Sequence, residues 1–262
     1  MNDVLLTGDG ATGITLGGLQ RLAAADRQLS VRLGRVRPKA RPQALRFATY
    51  LKGAPPTPPT KIDYYTKALA VVQRMYLNDQ LGCCVISDRY HSEGVVTAND
   101  SDSGGTVLAQ DSEVLASYRI WNPGRQDNGC VITDVLDYQR EHGLIMAGKP
   151  RKISGYVAID WTNKLEVQVA ILLFGTVTLG INLPSDWTRS AVWDVTNSGI
   201  VGGHDVVAIG YDEQGVQISS WGRIYTITWA AFTSRRWLDE AYAVLHPDWT
   251  GNDKLAPNGI DV

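Results

Sequence analysis

A chain of 262 residues with 44% hydrophobic and 20% charged side chains can bury one large core or two small ones, and its composition excludes a disordered or fibrous protein. Three cysteines are too few, and odd in number, for a disulfide framework. The net charge of −2 is unevenly spread: residues 1–46 hold eight Lys or Arg against three Asp, a net of +5, which leaves −7 for the rest. No aromatic interleaving or nucleic-acid motif accompanies those basic residues, so docking on protein is expected and nucleic acid is not.

In chain order, residues 1–60 read as a basic, Gly/Pro-rich N-terminal arm and linker. Gly8, Gly10, Gly13, Gly17 and Gly18 loosen its start, Leu16 to Leu29 has the pattern of one short helix, and Pro38 and Pro42 interrupt the chain beyond it. Ala54-Pro55-Pro56-Thr57-Pro58-Pro59 cannot be helical and marks the boundary of a domain expected over 61–250, with 251–262 as a C-terminal tail. Helices are predicted over Tyr64 to Tyr76, Cys84 to Val96 and Ser112 to Ile120. A further helix runs through Val135, Leu136 and Tyr138 to Gly143, and another over Leu165 to Phe174. Strands come next at Val177–Ile181, Asp205–Tyr211, Val216–Trp221, Tyr225–Trp229 and Ala241–Leu245, with a hairpin turn at 212–215. Helices first and an antiparallel sheet after them predict an α+β fold. Val167 to Leu183 is the longest apolar stretch, but Gln168, Thr176, Thr178 and Asn182 lie within it and Gly175 splits it. It reads as a buried helix, a turn and a buried strand rather than a membrane span. Neither a leader peptide nor a membrane partner is expected.

Three short motifs carry chemistry. Gly82-Cys83-Cys84 opens a helix, where free N–H groups and the helix dipole favour a thiolate. Gly202-Gly203-His204 opens an apolar strand and supplies an imidazole, the usual base for a thiol. Ser219-Ser220-Trp221-Gly222 ends the next strand. Asp100-Ser101-Asp102-Ser103-Gly104-Gly105, with Asp111 beyond it, is a loose match to a calcium loop, but Gly104 and Leu108 stand at ligand positions, so it reads as a polar loop. No metal and no cofactor are expected.

The order Cys, His, polar residue before Trp-Gly resembles the papain-like cysteine peptidases, over about residues 70–245. The wording Asn-Asp-Gln-Leu-Gly-x-Cys, with Gly-Gly-His and a late Asp-Glu-Ala-Tyr-Ala-Val-Leu, looks most like papain-like proteins encoded by bacteriophages and prophages. The resemblance implies a helical half followed by an antiparallel sheet or half-barrel. It also implies roles. Cys84 is the nucleophile and His204 the base. Ser219 stands where the family has its orienting Asn, and shares strand parity with Trp221, which shields that contact. Asn78 stands at the oxyanion Gln position, with Gln80 as a substitute. Asp127-Asn128-Gly129-Cys130 looks like the family's Asn-Gly-Gly loop, so Gly129, Cys130, Gly203 and Trp221 are expected to line the cleft. Cys83 matches the variable middle position of Gly-x-Cys. Asp205, adjacent to His204, is expected to point away from the site.

The activity implied is hydrolysis of a peptide or isopeptide bond by a Cys–His pair, with a peptide or protein as substrate. The alternative is a bacteriophage virion structural, decoration or assembly protein that uses a weakened or inactive form of the same fold, with residues 1–60 gripping capsid or other virion proteins. Either would place the chain in a virion or in the cytoplasm of a bacterial host.

Overall fold

The computed structural model describes residues 32–37, 45–50, 55–100 and 104–249. The helix expected over Leu16 to Leu29, the tail 251–262 and Ser101 to Ser103 of the polar loop lie outside them.

In chain order the helices are α1 (Phe47–Tyr50), α2 (Leu69–Val72), α3 (Cys84–Asn99), α4 (Asp111–Tyr118), α5 (Ile132–Glu141), α6 (Lys164–Phe174) and α7 (Trp229–Phe232). The strands are β1 (Ile62–Asp63), β2 (Leu144–Met146), β3 (Lys149–Arg151), β4 (Gly155–Ala158), β5 (Val177–Pro184), β6 (Val192–Trp193), β7 (Ile200–Tyr211), β8 (Gly215–Ser220), β9 (Arg223–Thr228) and β10 (Leu238–Leu245). The main sheet runs β4-β10-β5-β7-β8-β9-β6, antiparallel except for the β6–β9 pair, with β1 added to the end of β7. β2 and β3 form a separate hairpin.

Two cores result. One lies under the sheet and gathers Val177, Leu179 and Ile181 of β5, Val206 and Ala208 of β7, Ile171 of α6, and Trp187, Trp193, Trp221 and Trp237. The other lies among the helices, with Val85, Ile86 and Tyr90 of α3 against Val114, Tyr118, Val135 and Leu136. α3 is the spine between them. It is buried along nearly its whole length, so its polar residues are paired internally rather than turned to water. Asp88 and Arg89 bond to each other and to Thr178, His91 Nε2 bonds the Arg74 carbonyl, and His246 bridges Ser92 and Glu93. Among the described residues, no helix is long and apolar enough to cross a membrane.

The helix predicted over Tyr64 to Tyr76 is cut to a single turn. Ile62 and Asp63 pair with β7, the Asp63 carboxylate caps the Tyr65 and Thr66 N–H groups, and Tyr76 and Leu77 take left-handed backbone angles that no helix continues through.

Part of the N-terminal stretch is packed on the body. Phe47 is buried against Phe174 with ring centroids 5.7 Å apart, and the Leu45 carbonyl accepts from Ala158 N–H at 2.8 Å. Residues 33–36 lie across the junction of the two halves, where the candidate site is found.

Candidate active site

Cys84 is the first residue of α3, and the first-turn N–H groups of a helix have no acceptor within it. β7 begins at Ile200, so Gly202-Gly203-His204 lies within the strand rather than opening it, and the Asp205 backbone on the same strand is close enough to Cys84 to act on its thiol. His204 and Asp205 lie on opposite faces of β7 because strand residues alternate. His204 shares the face of Val206 and Ala208, which pack in the sheet core, and its ring stacks on Trp221 at 4.2 Å and 10°. Its Nε2 is bonded to Ser220 Oγ at 2.7 Å, while Nδ1 is buried and unbonded. No hydrogen bond joins His204 to Cys84.

Ser220, rather than Ser219, holds the imidazole. The reason is register: Ser219 lies opposite Val207, so Ser219 takes the face of Val207 and Asp205 and Ser220 takes that of His204. Ser219 Oγ is buried without a partner. Trp221 stacks on the ring that Ser220 holds.

Asp205 does not point away from Cys84. The face it takes is the one α3 covers, so its carboxyl is buried among Asp88, Arg89 and Glu240 and close enough to Cys84 to act on it. Burial first, and then the Asp88 charge, push the Asp205 carboxyl well above the usual carboxylate range.

The remaining residues divide clearly. Asn78 is buried with its side-chain oxygen unbonded, whereas Gln80 is exposed, so Asn78 is the better-placed amide of the two. Cys83 points into the helical core, with its thiol near the Tyr76 carbonyl and Ser87, and burial pushes it up to about 12. Gly129 and Cys130 line the opposite wall. Their loop is pinned by Asp127, which accepts from Gly82 N–H at 2.8 Å and Tyr118 OH at 2.6 Å, and by Asn122, which donates to the Gly129 carbonyl at 3.0 Å. Asp127 carries this tie between the two walls, and its sequence signal is only that of a turn.

The strip between the walls is filled by residues 33–36. Cys130 N–H donates to the Gly34 carbonyl and Val36 N–H to the Cys130 carbonyl, both at 2.8 Å, and Arg35 N–H donates to the Gly203 carbonyl at 3.2 Å. Arg35 and Cys130 thus form a parallel bridge. Gly34 packs on the Gly82 backbone just ahead of Cys84, close enough to act on its thiol. Gly34 must be glycine for this approach, since a Cβ there would stand 1.7 Å from the Gly82 carbonyl oxygen.

That coverage sets the titration of the pair. Burial, reinforced by the Asp205 charge, holds the Cys84 thiol far above its ordinary range despite the helix N-terminus, against the expectation of a lowered value. Burial and then the Arg35 guanidinium lower His204 to about 3. With residues 33–36 in place, both members of the pair are neutral.

Helices leading, sheet following, a cysteine at the head of the central helix and a histidine within the long strand beside it: this is the fold of the papain-like cysteine proteases. No family model matches the sequence, and no curated protein is similar to it. Solved structures are similar in fold. Xylellain, a cysteine protease from Xylella fastidiosa, superposes with a TM-score of 0.64 at 13% identity over 84% of this chain and 98% of its own. Procathepsin L 3 of Tenebrio molitor larval midgut gives 0.58 at 12% identity, over 87% of this chain and 81% of its own. The cysteine protease CMS1MS2 of Carica candamarcensis, solved in complex with E-64, gives 0.52 at 17% identity, over 72% and 99%.

Proposed function

We propose that this chain is a thiol hydrolase that cleaves peptide or isopeptide bonds and is held at rest by its own residues 33–36. The observation that carries the reading is the meeting of Cys84, at the head of α3, with the His204–Asp205 stretch of β7 beneath a peptide strand bound along both walls of the cleft. In the open site, Cys84 attacks the carbonyl carbon and the thiol proton passes to Nδ1 of His204, the ring nitrogen that Ser220 leaves free. Nδ1 then returns the proton to the leaving amine, and water releases the acyl group from sulfur. The Cys84 N–H and the Asn78 amide are the candidate oxyanion donors. Uncovering the site returns water to both groups and removes the Arg35 charge, so the thiol moves down and the imidazole up, toward the ion pair that attacks.

The test is labelling by a peptidyl epoxide followed by mass spectrometry, alongside cleavage of a denatured protein substrate. Labelling at Cys84, and loss of cleavage in Cys84→Ala, is the expected result. Labelling of Cys83 or Cys130 with Cys84 spared would overturn the reading.

A second reading has one observation in its favour: no hydrogen bond joins Cys84 and His204, and both are shifted away from their charged forms. In that reading the chain is a bacteriophage structural or assembly protein on the same fold, and its basic N-terminal stretch grips virion proteins. Absence of both labelling and turnover after the cleft is opened, together with co-purification in phage particles, would favour it.

A further inference from the structure

The Arg35 side chain leaves the cleft strip and enters a pocket in the sheet, where it is fully buried. Its Nη1 donates to Glu240 Oε1 at 2.7 Å and pairs with Asp239 Oδ1 at 2.8 Å. Its Nη2 lies 3.2 Å from each of three oxygens: the Ile181 carbonyl, Asn182 Oδ1 and Asp239 Oδ2. Every one of these partners is an acceptor. Two are carboxylates, and together they serve both terminal nitrogens of the guanidinium, while Nε is buried without a bond.

The pocket is built by groups other than Arg35. The second Glu240 oxygen is held by Tyr242 OH at 3.1 Å, and Asp239 is held by the Asn182 amide at 3.2 Å. Glu240 can lie across the sheet only because Gly180 is beside it, for a Cβ there would stand 2.3 Å from Glu240 Cγ. Gly180 is also the partner of Asp205 in the β5–β7 register. The pocket therefore opens beside Asp205 of β7, one residue along the bound strand from Gly34, which packs on the Gly82 backbone just ahead of Cys84.

We infer that the Asp239, Glu240 and Asn182 pocket is the specificity site of this cleft, that it selects peptides carrying arginine, and that Arg35 occupies it in place of such a peptide. The inference rests on reading the cleft as a peptide-binding one. Four acceptor groups divided between two terminal nitrogens favour arginine over lysine, whose ammonium is a point charge with three donors. An apolar or neutral side chain leaves Glu240 buried without its counter-charge.

The experiment measures binding, so it does not depend on turnover. A fluorescein-labelled acetyl-Leu-Gly-Arg-Val amide, which repeats residues 33–36, is titrated into the full chain carrying Cys84→Ala and Arg35→Ala. Versions with citrulline, lysine or leucine at the arginine position are titrated in parallel. The arginine peptide should bind at least tenfold more tightly than the citrulline peptide, and Glu240→Gln with Asp239→Asn should remove that difference. Equal binding of the two peptides, or a preference that survives loss of both carboxylates, overturns the inference. Should Arg35→Ala fail to fold, hydrogen exchange on the unaltered chain decides. The arginine peptide should speed exchange at the Arg35 and Val36 amides, whose acceptors it takes over, and the citrulline peptide should not. Identical exchange with the two refutes the proposal. Selective binding without any cleavage would leave this inference standing and sink the hydrolase reading alone.

Discussion

Substituting Gly34 by alanine asks one methyl group to displace the strand that covers Cys84. The new Cβ would meet the Gly82 carbonyl oxygen at 1.7 Å, and that oxygen belongs to a backbone tied at its own N–H to Asp127. Neither side has a flexible end that can give way, so the strand must lift. Lifting it breaks the Gly34–Cys130, Val36–Cys130 and Arg35–Gly203 backbone hydrogen bonds. At about 1 kcal/mol net for each, the covered state loses roughly 3 kcal/mol, which raises the uncovered population about a hundredfold. Alkylation of Cys84 by iodoacetamide, followed by peptide mass spectrometry at low reagent concentration, reads that population directly, because the sulfur reacts only when exposed. The expected result is Cys84 modification about a hundredfold faster in Gly34→Ala than in the unaltered chain, with Cys83 unchanged. A folded Gly34→Ala chain whose Cys84 reacts at the original rate would refute the argument that residues 33–36 cover Cys84.

The two serines before Trp221 should behave differently. Ser220→Ala leaves His204 with no hydrogen bond at either ring nitrogen and should lower stability by about 1–3 kcal/mol in urea unfolding, while Ser219→Ala, which removes an unbonded hydroxyl, should change it by less than about 0.5 kcal/mol. Phe47→Ala removes a ring from the sheet core and should cost about 3–5 kcal/mol, read as a lower denaturation midpoint; no change would mean that this part of the N-terminal stretch does not complete the core. Acid should weaken the fold through buried histidines. His204 lowered to about 3 and His91 lowered to about 4 remain neutral when folded and take protons at ordinary values when unfolded, so their contribution is complete above about 6.5 and is lost as pH falls toward those values. At pH 5 each amounts to roughly 2 kcal/mol, so His91→Gln should flatten the stability profile between pH 7 and 4, and an unaltered slope would count against the assignment.

Much of the architecture is legible in the sequence because it rests on local signals. The helix from Cys84, the one ending at Phe174, the apolar strand after His204 and the hairpin at 212–215 all carry their own periodicity or turn residues. The one-turn α2 is not, because its limit comes from β1 pairing with β7, a contact nearly 150 residues away in sequence. Ser220 escapes for a similar reason: motif position favours Ser219, but cross-strand register decides which hydroxyl meets His204. The burial of Asp205 beside Cys84 comes from alternation once the face covered by α3 is known, and only the tertiary fold says which face that is. The Arg35 pocket lies beyond sequence reasoning altogether. Arg35 is more than 140 residues from Ile181 and Asn182 and over 200 from Asp239 and Glu240, and no pattern around it signals a buried cation.

Arg35 and Phe47 are both fixed on the body, and a short stretch of the same chain connects them. The strand over Cys84 is therefore a ligand that cannot diffuse away. Such attachment gives an effective concentration of about millimolar for short linkers, whatever the intrinsic affinity of the contacts. A free peptide of equal affinity has to reach that concentration to claim half the sites, while a single chain break between Arg35 and Phe47 would turn the contact into an ordinary bimolecular one. Dilution alone would then empty the cleft, with no change in any hydrogen bond that lines it.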